Sequence, residues 1–159
     1  MHQLAFIALG SNLGDSSGII LTAFKRLESL SAAPLLRSSL LKTTPVDCPA
    51  GSPPFINAVV GLQPLPAETP QSFLSQLRQL EKEFGRQPKK ILNEPRVLDL
   101  DLIAFGSQIV NSPELTLPHP RAHLRRFVLQ PLNEIAPDFV LPGQEKSVRE
   151  LLLSLPLAE

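Results

Sequence analysis

Apolar residues in this chain recur at two periods, and the switches between them mark out its elements. Leu4-Ala5-Phe6-Ile7-Ala8-Leu9 is a continuous apolar run ending at Gly10, the pattern of a buried central strand. Gly10-Ser11-Asn12-Leu13-Gly14-Asp15 reads as a turn, and Asp15, Ser16 or Ser17 can cap the helix that follows. Ile19, Ile20, Ala23, Phe24, Leu27 and Leu30 then fall at helical spacing, which predicts a helix over about 17–31. A second strand is expected over about 36–43, and Phe55 to Leu62 reads as a third. Thr69 and Pro70 open a helix with a buried face of Phe73, Leu74, Leu77, Leu80 and Phe84, closed by Gly85. A fourth strand runs from Val97 to Phe105. Residues 118–126 read as irregular, and helices are expected over about 126–135 and 147–155.

This order predicts an α+β domain with a ferredoxin-like β-α-β-β-α-β core, an antiparallel sheet and appended C-terminal helices. The 159 residues suit one domain spanning 1–159. Helices on one face of the sheet would leave the other face open to ligands.

Within the fourth strand, Val97-Leu98-Asp99-Leu100-Asp101-Leu102-Ile103, polar and apolar positions alternate. Both carboxylates therefore share a face, with their Cα atoms about 6.6 Å apart, while Leu98, Leu100 and Leu102 enter the core. Two like charges on a partly dry surface cost free energy unless a cation neutralises them. Magnesium suits such a pair, because it takes one or two carboxylates plus substrate phosphates. A solvated sheet face explains the motif by itself about equally well. The cations nearby, Arg86, Lys89, Lys90 and Arg96, favour a site.

Composition narrows the classes. Formal net charge is zero, which argues against bulk attraction to nucleic acid or an anionic membrane. The single cysteine, Cys48, has no partner for an internal disulfide and no companion zinc ligands. The start, Met1-His2-Gln3, lacks a cationic leader region, and the apolar run after it is too short to span a membrane. A cytoplasmic protein is expected. Seventeen prolines cluster between elements and stiffen long loops, among them 45–54 and 86–96, which are expected to close over substrates.

Other residues carry weaker signals. The glycines of Gly10-Ser11-Asn12-Leu13-Gly14 invite a phosphate-loop reading, but no Lys-Ser/Thr follows, and a tight turn explains them better. Arg86, Arg96, His119 and Arg125, with Lys89 or Arg121, form a basic set able to hold phosphate. Asn57 interrupts an apolar strand and needs a partner, either a loop or the edge of a heterocycle. Phe127 either stacks on such a ring or fills core, and its residue type alone favours core.

Several segments together resemble the 6-hydroxymethyl-7,8-dihydropterin pyrophosphokinase family. They are Ala8-Leu9-Gly10-Ser11-Asn12-Leu13-Gly14-Asp15, Phe55-Ile56-Asn57-Ala58-Val59 and Pro95-Arg96-Val97-Leu98-Asp99-Leu100-Asp101-Leu102-Ile103. Leu117-Pro118-His119-Pro120-Arg121 and Arg125 through Pro137 continue the likeness almost to the end of the chain. The resemblance implies transfer of the terminal diphosphate of ATP to the pterin's hydroxymethyl oxygen, leaving AMP, in folate biosynthesis. It implies Asp99 and Asp101 as ligands of two Mg²⁺ ions, and Arg86 and Arg96 as loop arginines that aid the reaction. It places Leu102, Thr116, His119 and Arg125 at ATP positions, and Thr44, Pro45, Asn57 and Phe127 at pterin positions. Glu81 falls where a helix glutamate lies near the site. The partners implied are ATP and a reduced pterin, with no nucleic acid and no membrane, for a protein expected to be a monomer. Pro88, Asn93, Glu114 and Pro120 depart from residues that some members carry.

Two rival classes remain distinct in their chemistry. A Mg²⁺-dependent phosphohydrolase would release inorganic phosphate rather than AMP and a pterin diphosphate. A ferredoxin-like RNA-binding module would need an aromatic stripe on its open face, where this chain has Asp99 and Asp101.

Overall fold

A computed structural model gives the fold and describes residues 3–44, 50–51, 53–85 and 97–156. The chain runs β1 (Ala5–Ser11), α1 (Ser16–Glu28), β2 (Leu36–Arg37), β3 (Leu41–Thr43), β4 (Phe55–Leu62), α2 (Pro70–Glu83) and β5 (Asp99–Phe105). It continues through β6 (Val110–Asn111), β7 (Thr116–Leu117), a 3₁₀ turn (Ala122–Leu124), α3 (Arg126–Ile135) and α4 (Val148–Ser154). The main sheet is ordered β2-β4-β1-β5, with β3 also on β4, and every pairing is antiparallel. This is the expected ferredoxin-like α+β core.

Local chemistry sets the ends of the elements. The Asp15 side chain accepts from the Gly18 N–H at the start of α1. Thr69 and Ser72 exchange reciprocal hydrogen bonds at the start of α2, with Pro70 at its first position. Gly85 follows α2 at φ +90°, a conformation that glycine adopts without a Cβ clash.

Two regions differ from the sequence pattern. The strand expected over 36–43 is broken into β2 and β3, which lie in succession along the same edge of β4. The break comes from two serines. Ser38 Oγ accepts from the Val59 N–H at 2.9 Å, and Ser39 Oγ donates to Glu134 of α3 at 2.8 Å. The Ser38 N–H still donates to the Val59 carbonyl at 3.0 Å, but the return bond from the Val59 N–H goes to a side chain and the ladder lapses. The second difference is the far face of the sheet. One face packs Ile7, Leu9, Val60 and Leu100 against Phe24 and Leu27 of α1 and Phe73 and Leu77 of α2. The other is not left open: Phe6, Ala8, Val59 and Ile103 pack beneath Val128, Leu129 and Leu132 of α3 and Val148 and Leu151 of α4. The appended helices carry enough apolar surface to need a partner, and this face supplies it. The end of the sheet bearing Gly10, Asn57 and Asp99 contributes nothing to that second core. The hairpin β6–β7 is a further element, in a stretch to which the pattern assigns none, and the 3₁₀ turn lies within 118–126, read as irregular.

Candidate active site

β5 places both aspartates as the alternation requires. Leu98, Leu100 and Leu102 are buried in the core under α1 and α2, so Asp99 and Asp101 face the α3 side. Asp99 lies opposite Gly10 and Asp101 opposite Ala8 on β1, and Gly10 in turn lies opposite Asn57 on β4. Asn57, Gly10 and Asp99 therefore form a row across three strands. The small residues at 8 and 10 keep the floor between the polar groups low. A bulge opposite Phe6 and Ile7 turns both Ile103 and Ala104 toward the α3 core, ending the alternation just beyond Asp101.

Burial and then the neighbouring Asp99 push the Asp101 carboxyl up to about 6 from 3.8, while the Arg78 and Arg125 guanidiniums act in the opposite direction. Among the described residues no cluster of three or more His, Cys, Asp or Glu is placed to hold a metal alone. Two hard oxygen donors on one face, in surroundings that penalise the charge of Asp101, fit a magnesium ion that completes its shell with phosphate oxygens.

His119 sits beside them. Its backbone N–H donates to the Ile103 carbonyl at 2.8 Å, which ties it to β5. Its Nδ1 accepts from the Arg121 N–H at 3.2 Å, which leaves the proton of the neutral ring on Nε2. Burial, then the Arg125 and Arg121 charges, hold its pKa below the ordinary value, against an opposing pull from Asp99. His119 at neutral pH is thus an uncharged donor. A cavity of about 230 Å³ is lined by Leu74, Arg78, Asp101, Leu102, Thr116 and His119, with Glu114 and Pro120 at its rim. Three of the four residues placed at ATP positions line it. The fourth, Arg125, caps α3 without using its side chain for the cap. Its guanidinium lies 5.4 Å from the centroid of the Phe127 ring.

Phe127 is not core, against the preference of its residue type: it is 36% exposed and belongs to neither apolar cluster. Asn57 is buried, and its Nδ2 donates to Thr43 Oγ1 at 2.7 Å. Its partner is therefore Thr43, missed by the sequence reading, while Thr44, placed at a pterin position by the resemblance, is exposed just past β3. Parity identifies Thr43, since Leu41 pairs with Asn57 and residue 43 shares its face. Asn12 Nδ2 donates to the Pro53 carbonyl at 3.3 Å, so the Gly10–Gly14 segment serves as a turn that ties down its neighbour.

Arg78 of α2 is a further residue of the site, partner to Glu81, which the resemblance places near it. Glu81 is buried at a helix position otherwise kept apolar, and it accepts from the Leu100 N–H at 2.8 Å. Arg78 Nη1 donates to Glu81 at 2.9 Å and to the Leu100 carbonyl at 2.8 Å. An arginine three residues before that acid, on the same helix face, is the signal that would have found Arg78. Arg86, Arg96 and Pro45, with Lys89, Lys90, Pro88 and Asn93, lie outside the described residues.

Two acids, a neutral imidazole, an arginine and an adjoining cavity on an antiparallel α+β sheet define an enzyme domain built to handle phosphate. Residues 6–137 match the family described as 7,8-dihydro-6-hydroxymethylpterin-pyrophosphokinase (HPPK). The chain belongs to that family. It is 38% identical over 142 residues to the 2-amino-4-hydroxy-6-hydroxymethyldihydropteridine pyrophosphokinase of Haemophilus influenzae, covering 89% of this chain and 86% of that one. The Pseudomonas aeruginosa protein of the same name is 37% identical over 156 residues, covering 98% and 94%. The folic acid synthesis protein fol1 of Pneumocystis carinii is 38% identical over 141 residues, or 89% of this chain, but the match spans only 18% of that longer protein. Among solved structures, an HPPK-DHPS in complex with substrates superposes with a TM-score of 0.77 at 13% identity. It covers 96% of this chain and 44% of the other, and it shares the fold. No described helix is long and apolar enough to cross a membrane.

Proposed function

We propose that this chain transfers diphosphate from ATP to the hydroxymethyl group of 6-hydroxymethyl-7,8-dihydropterin, forming AMP and the pterin diphosphate in folate biosynthesis. Family membership supports the reaction, and the row Asn57–Gly10–Asp99 beside Asp101 supports its placement. The pterin lies over the floor at Gly10. Asn57 reads its edge, Phe127 stacks on its ring, and Thr44 and Pro45 flank it. The nucleotide occupies the cavity at Leu102 and Thr116, with its triphosphate turned toward His119 and Arg125.

Asp99 and Asp101 would hold two magnesium ions together with that triphosphate. Bound there, such ions neutralise phosphate charge and orient the attacking oxygen. The chain's own groups supply the rest. His119 donates from Nε2–H to a phosphate oxygen, and Arg125 takes the charge of the transferring group in a fork. Arg86 and Arg96 add cations to the same group. The hydroxymethyl oxygen attacks the β-phosphorus in line and gives up its proton to water, the bond from that phosphorus to the α-phosphate's bridging oxygen breaks, and AMP leaves. No covalent intermediate is needed. Every group named here belongs to one chain, and we take it to act as a single 1–159 domain, a monomer in the cytoplasm.

Incubation with ATP, Mg²⁺ and the reduced pterin is expected to yield AMP and pterin diphosphate in equal amounts. Inorganic phosphate without pterin diphosphate would identify a phosphohydrolase instead. A finer test is Gly10→Ala. Its Cβ would stand 3.3 Å from Asn57 Oδ1 and 3.7 Å from the Phe55 ring, so the amide must tilt. The KM for the pterin should rise about tenfold with the KM for ATP little changed, because one polar contact to the ring is lost. Equal changes in both constants would separate Asn57 from pterin recognition.

A further inference from the structure

β5 ends the sheet, with β1 on one side and no strand on the other among the described residues. Its outward peptide groups therefore need partners from elsewhere. At Leu100, the residue between the two aspartates, the partners are side chains of α2. The Leu100 N–H donates to Glu81 Oε2 at 2.8 Å, and its carbonyl accepts from Arg78 Nη1 at 2.8 Å. The ring closes because the same nitrogen donates to Glu81 Oε1 at 2.9 Å. One donor and one acceptor, held by a single guanidinium nitrogen and a carboxylate, imitate the residue that a neighbouring strand would have offered. Arg78 and Glu81 meet because they stand at i and i+3 on one helix face.

We propose that Arg78 is a positioning residue of the diphosphate-transfer site: with Glu81 it locks the Leu100 peptide, and so fixes the spacing of the Asp99 and Asp101 carboxylates that receive divalent cations. The inference rests on the metal role of those aspartates in the reading above. Groups that orient ligating side chains typically alter metal affinity by about 10–100-fold. The link from α2 to the two aspartates runs through the backbone of Leu100 between them.

The proposal and plain electrostatics predict opposite signs. Removing a cation near two carboxylates would, by charge alone, tighten binding of a divalent cation. Loss of the lock would loosen it. The test is Mn²⁺ binding, followed by its electron spin resonance signal, to wild type, Arg78→Met and Arg78→Lys, each with a non-hydrolysable ATP analogue. Leu100 amide exchange is measured in parallel on the ligand-free proteins, and Arg26→Lys, altering an exposed ion pair with Glu83, serves as control. Arg78→Met is expected to bind Mn²⁺ about tenfold more weakly and to exchange the Leu100 amide at least tenfold faster. Arg78→Lys should recover part of both, and Arg26→Lys should match wild type. If Arg78→Met does not fold, Arg78→Lys must still be more than twofold weaker than wild type. Unchanged or tighter Mn²⁺ binding overturns the proposal, and so does weaker binding with Leu100 exchange unchanged. A wild-type protein that makes no AMP, yet shows this dependence on Arg78, would refute the proposed reaction and leave the lock standing.

Discussion

Replacing Asp101 with Asn is expected to raise the melting temperature of the ligand-free protein at pH 8 while lowering the rate of diphosphate transfer by a factor on the order of 10³. The two effects have one origin. The folded-state pKa of Asp101 is about 6, above its ordinary 3.8, chiefly because burial penalises the charged form and then because Asp99 repels it. A carboxyl raised in this way binds more protons in the folded than in the unfolded chain between those two values, so stability falls as pH rises through that window. The contribution is fully present below about pH 4 and lost above about pH 6. At about 1.36 kcal/mol per pH unit the ionised carboxyl costs the apo protein about 3 kcal/mol at most. Asparagine has nearly the same shape and no charge. Its advantage should therefore be near zero at pH 4, grow to pH 6 and stay level above pH 7, worth a few degrees in a chain of this size. Melting curves of both proteins between pH 4 and 8 give the answer. A variant no more stable than wild type at pH 8 would mean that Asp101 is not strained by its surroundings, and the argument for a cation there would lose its physical basis.

That strain was legible in the sequence because it is local: two acids at a period of two among leucines can be placed on one face without knowing the fold. α3 and β4 fell where expected for the same reason, since sharp ends and unbroken patterns bound them. What stayed hidden depends on distant partners. The break between β2 and β3 is set by Ser38 reaching Val59 and Ser39 reaching Glu134, 95 residues away, and nothing local announces either bond. β6 and β7 have two residues each, too few for any periodicity to register. The covering of the second face follows from α3 and α4 folding back, which their amphipathic pattern implies only once the sheet is known. Arg78 carries no local signal of a role, and only the edge of β5 gives it work. Phe127 shows the converse: its type favoured core, yet Val128, Leu129 and Leu132 form the buried face of α3 and Phe127 stays outside it.

Arg125→Ala is expected to lower kcat/KM for ATP by about 10²–10³-fold, and Arg125→Lys to recover little of it. Arg125 occupies the N-cap of α3 without capping it, so its guanidinium is left to the site, where its charge acts on both Asp101 and His119. Lysine would keep that charge but not the planar fork that grips two phosphate oxygens at once. It would also lose the flat face that lies 5.4 Å from the Phe127 ring centroid. That contact joins the two substrate regions: the group proposed to hold phosphate steadies the ring proposed to stack on the pterin. The alanine variant should therefore raise the KM for the pterin as well, by a smaller factor, while its melting temperature stays close to wild type because the side chain is partly exposed. Steady-state kinetics with each substrate varied in turn separate the effects. Wild-type behaviour from Arg125→Lys would show that only the charge matters, and an unchanged pterin KM in Arg125→Ala would show that the ring needs no support from it.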